Sequence, residues 1–186
     1  MKKLKQIISS IAAAALLLAT APAAFAANTG FTDVPNNAWY AEAVSAAVDN
    51  GLLYGKSSTI IDPNGDMTRA EMAAIINRSF GCYKAADISQ YKDVSKSKWY
   101  YKDVALAVQM GTYNGRSSSS MAPDAPITRA EMAKIISLFA KLDKSESRFS
   151  DIAGHWAEAY IRLAAGNGWI TGYPDGTFGP QRDITR

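Results

Sequence analysis

Three arginines occupy the same place in a repeated phrase, and arginine is the side chain best shaped to hold an anion. "MTRAEMAAII" runs from Met67 to Ile76, "ITRAEMAKII" from Ile127 to Ile136, and "ITR" from Ile184 to Arg186. Thr68 with Glu71, and Thr128 with Glu131, form the S/T-x-x-E pattern. In it the hydroxyl accepts from an N–H of the first helical turn, and the carboxylate accepts from the threonine's own N–H. Arg69 and Arg129 therefore open helices, and Arg186 takes the equivalent place in the third copy. Capping does not require a cation there, and the helix dipole disfavours one by about 0.3–1 kcal/mol. Open N–H groups, the positive end of the dipole and a guanidinium would together make an anion site. The competing reading is an exposed arginine, or one paired with an aspartate of a neighbouring repeat. If the anion reading holds, Arg69→Ala or Arg129→Ala weakens binding without unfolding the chain.

These phrases belong to a longer repeat. "FTDVPNNAWY" at 31–40 matches "YKDVSKSKWY" at 91–100, and "FSDIAGHWAE" at 149–158 is a version one residue shorter. An alanine-rich segment then leads to Gly51, Gly111 and Gly168, and a second glycine follows at Gly55, Gly115 and Gly172. A polar loop reaches Pro63, Pro123 and Pro180 before the arginine phrase. Each unit reads as helix, loop, helix. Tyr40, Val44, Ala47 and Val48 lie at helical spacing ahead of a glycine stop, as do Tyr100, Val104, Ala107 and Val108. Met72, Ile75, Ile76 and Phe80 stripe the second helix, repeated as Met132, Ile135, Ile136 and Phe139. The fold class is mainly α. The organisation is a leader over 1–26 and repeats over 27–85, 86–145 and 146–186, the third without its second helix. That shortfall reads as a break in a longer protein.

The leader has a basic start (Lys2, Lys3, Lys5), an apolar run from Ile7 to Thr20 and an A-x-A site at Ala24-Phe25-Ala26. That order predicts a secretory signal peptide, cut before Ala27, and no membrane span afterwards. The chain carries 20 Lys and Arg against 17 Asp and Glu. Without the leader's three lysines the two signs balance, so the basic pI points to no nucleic-acid partner. Cys82 is the sole cysteine, which leaves an exported fold without disulfides.

Two site chemistries compete with anion binding. His155 is the only histidine and Cys82 has no catalytic context, so no catalytic residue is assigned within these residues. A catalytic module beyond residue 186 would be a separate matter. Asp62, Asn64 and Asp66 alternate as in a calcium loop, but the sixth position is Met67 rather than Gly and the twelfth is Ala73 rather than Glu. No metal ligand and no cofactor is expected.

The pattern F-x-D-[VI]…W…G…G…P…[MI]-T-R-A-E-M-A resembles the S-layer homology domain, and the resemblance covers Phe31 to Arg186. It implies three repeats forming a pseudo-threefold spindle around a central helix bundle, with grooves between repeats. It further implies non-covalent anchoring of an exported surface protein to the Gram-positive cell wall, through a secondary wall polysaccharide ending in pyruvylated N-acetylmannosamine. The family's groove arginines correspond to Arg69, Arg129 and Arg186, and its aspartates to Asp33, Asp93 and Asp151. These aspartates would accept from sugar hydroxyls or orient an arginine across a groove, or else cap a helix or brace a loop. Trp39, Trp99 and Trp156 would stack on sugar or fill the core. Gly55, Gly115 and Gly172 would let backbone approach the ligand, or serve turns that need positive φ. An alternative role is a protein–protein module that self-associates in a surface layer. The loops "GKSSTIIDP" and "GRSSSSMAP" depart from the third repeat's "GYPDGTFGP", lacking its P-D-G turn and Phe178.

Overall fold

The computed structural model describes residues 30–139 and 149–186, so the expected leader lies outside the described residues. Those residues form α1 (Ala41–Asp49), α2 (Arg69–Phe80), α3 (Tyr101–Gln109), α4 (Arg129–Ser137) and α5 (Glu158–Gly166). The fold is mainly helical, with isolated β-bridges and no strand among the described residues.

The first helices α1, α3 and α5 begin on Tyr40, Tyr100 and Ala157 without a side-chain cap. Their apolar residues recur every three to four positions, and tertiary burial of that face holds them. Gly51 stops α1 at φ 66°, a left-handed turn that costs glycine little. The second helices start differently. Thr68 accepts from the Glu71 N–H at 3.1 Å while Glu71 accepts from the Thr68 N–H at 2.8 Å, and Thr128 with Glu131 repeats the arrangement.

Packing joins neighbouring repeats. The second helix of one repeat lies on the first helix of the next, α2 on α3 and α4 on α5. One apolar core runs through the first two repeats, including Val44, Ile61, Ile76, Tyr100, Val104 and Met121. Another joins Ala130 and Ala133 of α4 to Ile152, Ile161 and Phe178 of the third repeat. Each of the large residues contributes about 1.5–3 kcal/mol on full burial. Asn77 of α2 adds a polar tie, donating to the Asp103 carbonyl at 2.9 Å and to its carboxylate at 3.0 Å.

At the centre the repeats close on each other as a ring. Ile127 N–H donates to Met67 O at 2.9 Å, Ile184 N–H to Ile127 O at 3.0 Å, and Met67 N–H to Ile184 O at 2.8 Å. These are the first letters of the three repeated phrases. The third repeat thus reaches back to the first, and the hydrogen-bond pattern has a threefold character.

Candidate functional site

The motif residues at the start of each repeat brace its loop. Asp33 accepts from the Ile61 and Asp62 N–H groups at 3.0 and 2.6 Å. Asp93 accepts from Met121 and Ala122 at 2.9 and 2.7 Å, and Asp151 from Phe178 and Gly179, both at 2.8 Å. Burial pushes these carboxyls up, but the N–H donors outweigh it and hold all three below the usual carboxylate range. Of the roles open to these aspartates, the observed contacts are those of a loop brace.

The aromatic two residues before each aspartate, together with the loop's own carbonyls, explains the second glycine. A Cβ on Gly55 would lie 2.7 Å from the Phe31 ring, on Gly115 2.4 Å from Tyr91, and on Gly172 2.1 Å from Phe149. None of these glycines has positive φ. The positive-φ reading of Gly55, Gly115 and Gly172 therefore gives way to close packing, against the ring and against the loop's own carbonyls at Ser57, Ser117 and Thr177. The divergent loops keep their shape with other donors and acceptors. Asp175 accepts from Thr177 N–H at 2.9 Å in the third repeat; Ser57 accepts from Thr59 N–H at 3.3 Å in the first, and Ser117 from Ser120 N–H at 3.0 Å in the second. The residues aligned with Phe178, namely Ile61 and Met121, are core residues like it.

The three arginines reach across the repeat boundaries. Arg69 donates from Nε to Met121 O at 3.0 Å, from Nη2 to Asn114 O at 2.9 Å and from Nη1 to Glu131 at 2.6 Å. Arg129 donates to the Phe178 and Thr171 carbonyls, and its guanidinium lies 4.5 Å from the Phe178 ring centre. Arg186 donates to Ile61 O at 2.9 Å, to Tyr54 O at 2.8 Å and to the Glu71 carboxylate. Each arginine therefore grips the loop of the following repeat, the third gripping the first. The side chains of Arg69 and Arg186 are only 4% exposed.

The helix starts are not open amides. Arg69 and Ala70 N–H donate to Ala125 and Pro123 carbonyls, Arg129 and Ala130 N–H to Arg182 and Pro180 carbonyls, and Arg186 N–H to Gly65 O. The anion site anticipated at the bare helix terminus is corrected on this point, because backbone of the next repeat already occupies it. The pairing acid is also unexpected: a glutamate of the neighbouring capping box, where sequence suggested an aspartate.

Two grooves lie beside these grips. The first, about 500 Å³, is lined by Arg69, Arg116, Glu131, Lys134, Trp156 and Tyr160, with Gly115 in its wall. The second, about 220 Å³, is lined by Tyr54, Lys56, Glu71, Arg78, Trp99 and Arg186, with Gly55 in its wall. Each joins three repeats. Trp99 and Trp156 are 61% and 57% exposed, so neither fills the core; Trp39, at 93%, lines neither groove. In the first groove Arg116 donates to both Glu131 oxygens at 3.2 Å. Burial pushes the Glu131 carboxyl up, but bonds from Arg116 and Thr128 and the charge of Arg69 outweigh it and hold it below the usual range.

Arg116, Lys134, Arg78 and Tyr160 escaped the sequence reading because they are not shared by all repeats. Comparing the repeats for the charges they do not share would have found the three cations, though not Tyr160.

The S-layer homology domain model matches residues 30–73, 90–133 and 148–186. The chain belongs to the S-layer homology family. It is 36% identical over 140 residues to Cell surface glycoprotein 1 of Acetivibrio thermocellus, covering 67% of this chain and 6% of that protein. It is 34% identical over 147 residues to the Cellulosome-anchoring protein of the same organism, covering 73% of this chain and 33% of that one. With the Surface-layer 125 kDa protein of Lysinibacillus sphaericus it shares 35% identity over 114 residues, 59% of this chain and 10% of the relative. The S-layer homology chain thus spans a third or less of the length of these curated relatives. Membership places it at the cell surface.

Proposed function

We propose that this chain anchors an exported protein non-covalently to a Gram-positive cell wall, by holding a secondary wall polysaccharide in the grooves between its repeats. The ligand end is an acidic sugar, pyruvylated N-acetylmannosamine. One observation carries this reading: in both grooves an exposed tryptophan from one repeat stands beside cations from the others. Trp156 and Trp99 offer apolar faces to a pyranose ring, and the cations offer charge to its ketal carboxylate. Arg69 and Arg186 contribute from the groove wall, with N–H groups left after their carbonyl and carboxylate bonds. Arg129, with Trp39 and Gly172, is the threefold counterpart of these sets. Asp33, Asp93 and Asp151 set the loop shape that presents Gly55, Gly115 and Gly172. Two grooves on one body raise retention through effective concentration. The names of the anchoring and surface-layer relatives support the same role, and no catalytic step is assigned to these residues. The test is retention of the chain on native walls and on walls stripped of pyruvate. Loss on stripped walls is expected; equal retention on both refutes the acidic-sugar reading.

A specific observation favours a second role, self-association in a surface layer. Met72, Ile75, Ile76, Phe80, Met132, Ile136, Phe139 and Trp169 line an apolar groove with a volume of about 600 Å³, along which the Phe80 and Phe139 rings stack with centres 3.8 Å apart. Sedimentation without polysaccharide checks it: growth of large species with concentration supports the role, and a constant small species excludes it.

A further inference from the structure

The grooves differ in where an unpaired cation stands. In the first, Arg69 and Arg116 share Glu131. In the second, Arg186 pairs with Glu71 and Lys56 with Asp62 at 2.6 Å. That leaves one cation in each with no carboxylate within 4 Å among the described residues: Lys134 in the first groove and Arg78 in the second. Their positions are not equivalent. The repeated phrase aligns Lys134 of α4 with Ala74 of α2, and Arg78 of α2 with Leu138 just past α4. Residues four apart share a helix face one turn apart, a shift of about 6 Å.

We propose that Lys134 and Arg78 determine where each groove holds its ligand's carboxylate, one turn nearer the helix start in the first groove than in the second. This rests on the acidic-sugar reading above. Lys134 stands among Arg69, Arg116, Glu131 and Asn114, in a groove whose one carboxylate already serves two guanidinium groups. Its nearest polar partner is neutral, the Asn114 side-chain oxygen at 3.2 Å in the amide orientation that satisfies both ends. Burial and then the Arg69 charge push the ammonium down, while Glu131 only partly offsets them. An anion entering this groove supplies the missing counter-charge. Arg78 is held for the same task by other means: it lies 4.1 Å from the Tyr54 ring centre and donates to Leu52 O at 2.9 Å. Tyr54 and Trp99 line the same groove.

Helix-dipole compensation would also place cations in these last turns, so the test needs a readout that role would not move. The full chain, with its tryptophan indoles labelled with nitrogen-15, is titrated with the methyl glycoside of 4,6-pyruvylated N-acetylmannosamine. Trp156 and Trp99 report the two grooves separately. Lys134→Met is expected to weaken binding at Trp156 by about tenfold or more and leave Trp99 unchanged, with Arg78→Met doing the reverse. Lys134→Arg should retain binding at Trp156. Lys134→Met should also melt no lower than the parent, since it removes a cation from a cationic groove. Unchanged midpoints in either variant, or equal weakening at both indoles, overturn the assignment of cations while the glycan reading stands. If the parent chain shows no shift at either indole, the glycan reading fails and takes this assignment with it.

Discussion

At the residue scale, the arginine that suggests a binding site from sequence is also a structural clamp. Arg69 offers a buried guanidinium to two carbonyls and a carboxylate, so removing it strands acceptors and breaks an ion pair. Arg69→Ala is therefore expected to lower stability by about 3–5 kcal/mol, in contrast to the neutral folding effect sequence suggested. Arg116→Ala, whose partly exposed side chain shares the same glutamate, should cost about 0–1 kcal/mol. Urea denaturation of both variants checks the contrast, and equal costs would contradict the clamp. A second residue-scale effect follows from the loop backbone. Asp62 and Ala122 adopt φ of 61° and 53°, where the third repeat has Gly179 at 67°. Ala122→Gly removes left-handed strain of about 1–2 kcal/mol but frees the unfolded chain by about 0.4–1 kcal/mol. A small net gain in stability is expected, read from the same denaturation curves.

At the element scale, each loop depends on carboxylates held ionised. The folded-state pKa values of Asp93, Asp151 and Glu131 lie below their ordinary values of about 3.9 for Asp and 4.3 for Glu. A depressed carboxylate pKa gives stability that is present above the unfolded value and lost as pH falls through the folded one. The chain should hold constant stability down to about pH 5 and lose it progressively below about pH 4. Asp93→Asn should be less stable at neutral pH and show a flatter acid limb; an unchanged limb would exclude the brace as the source. Much of this scale was legible in the sequence. The capping boxes, the Met and Ile stripes and the Gly51 stop are local patterns, and local hydrogen bonds and helical periodicity determine them. The reason for Gly55 was legible only in part: a Cβ there would stand 2.3 Å from Ser57 O of its own loop, but the Phe31 ring it would also meet comes from far away along the chain. The same holds for the clamps: the sequence presents Arg69 beside Glu71, whereas folding pairs it with Glu131.

At the scale of the whole molecule, three repeats with three inter-repeat grips differ from an open stack, where the ends touch only one neighbour. Arg186 grips Tyr54 and Ile61 of the first repeat, and its own N–H meets Gly65 O. The acid it meets, Glu71, also caps α2, so the clamp and the start of that helix share one carboxylate. Disturbing Arg186 should therefore loosen the first repeat. Arg186→Ala is expected to speed amide exchange at Lys56 and Asp62, whose N–H groups lie in the gripped loop, by about a hundredfold, the exchange equivalent of about 3 kcal/mol. The Lys92 N–H bonds Ser119 O in the second repeat's loop, which Arg69 grips instead, and should change far less. An open stack predicts the opposite pattern, with the third repeat loosened and the first untouched. Exchange measured at those three amides in one variant separates the two architectures. It also tells whether both grooves share one rigid frame.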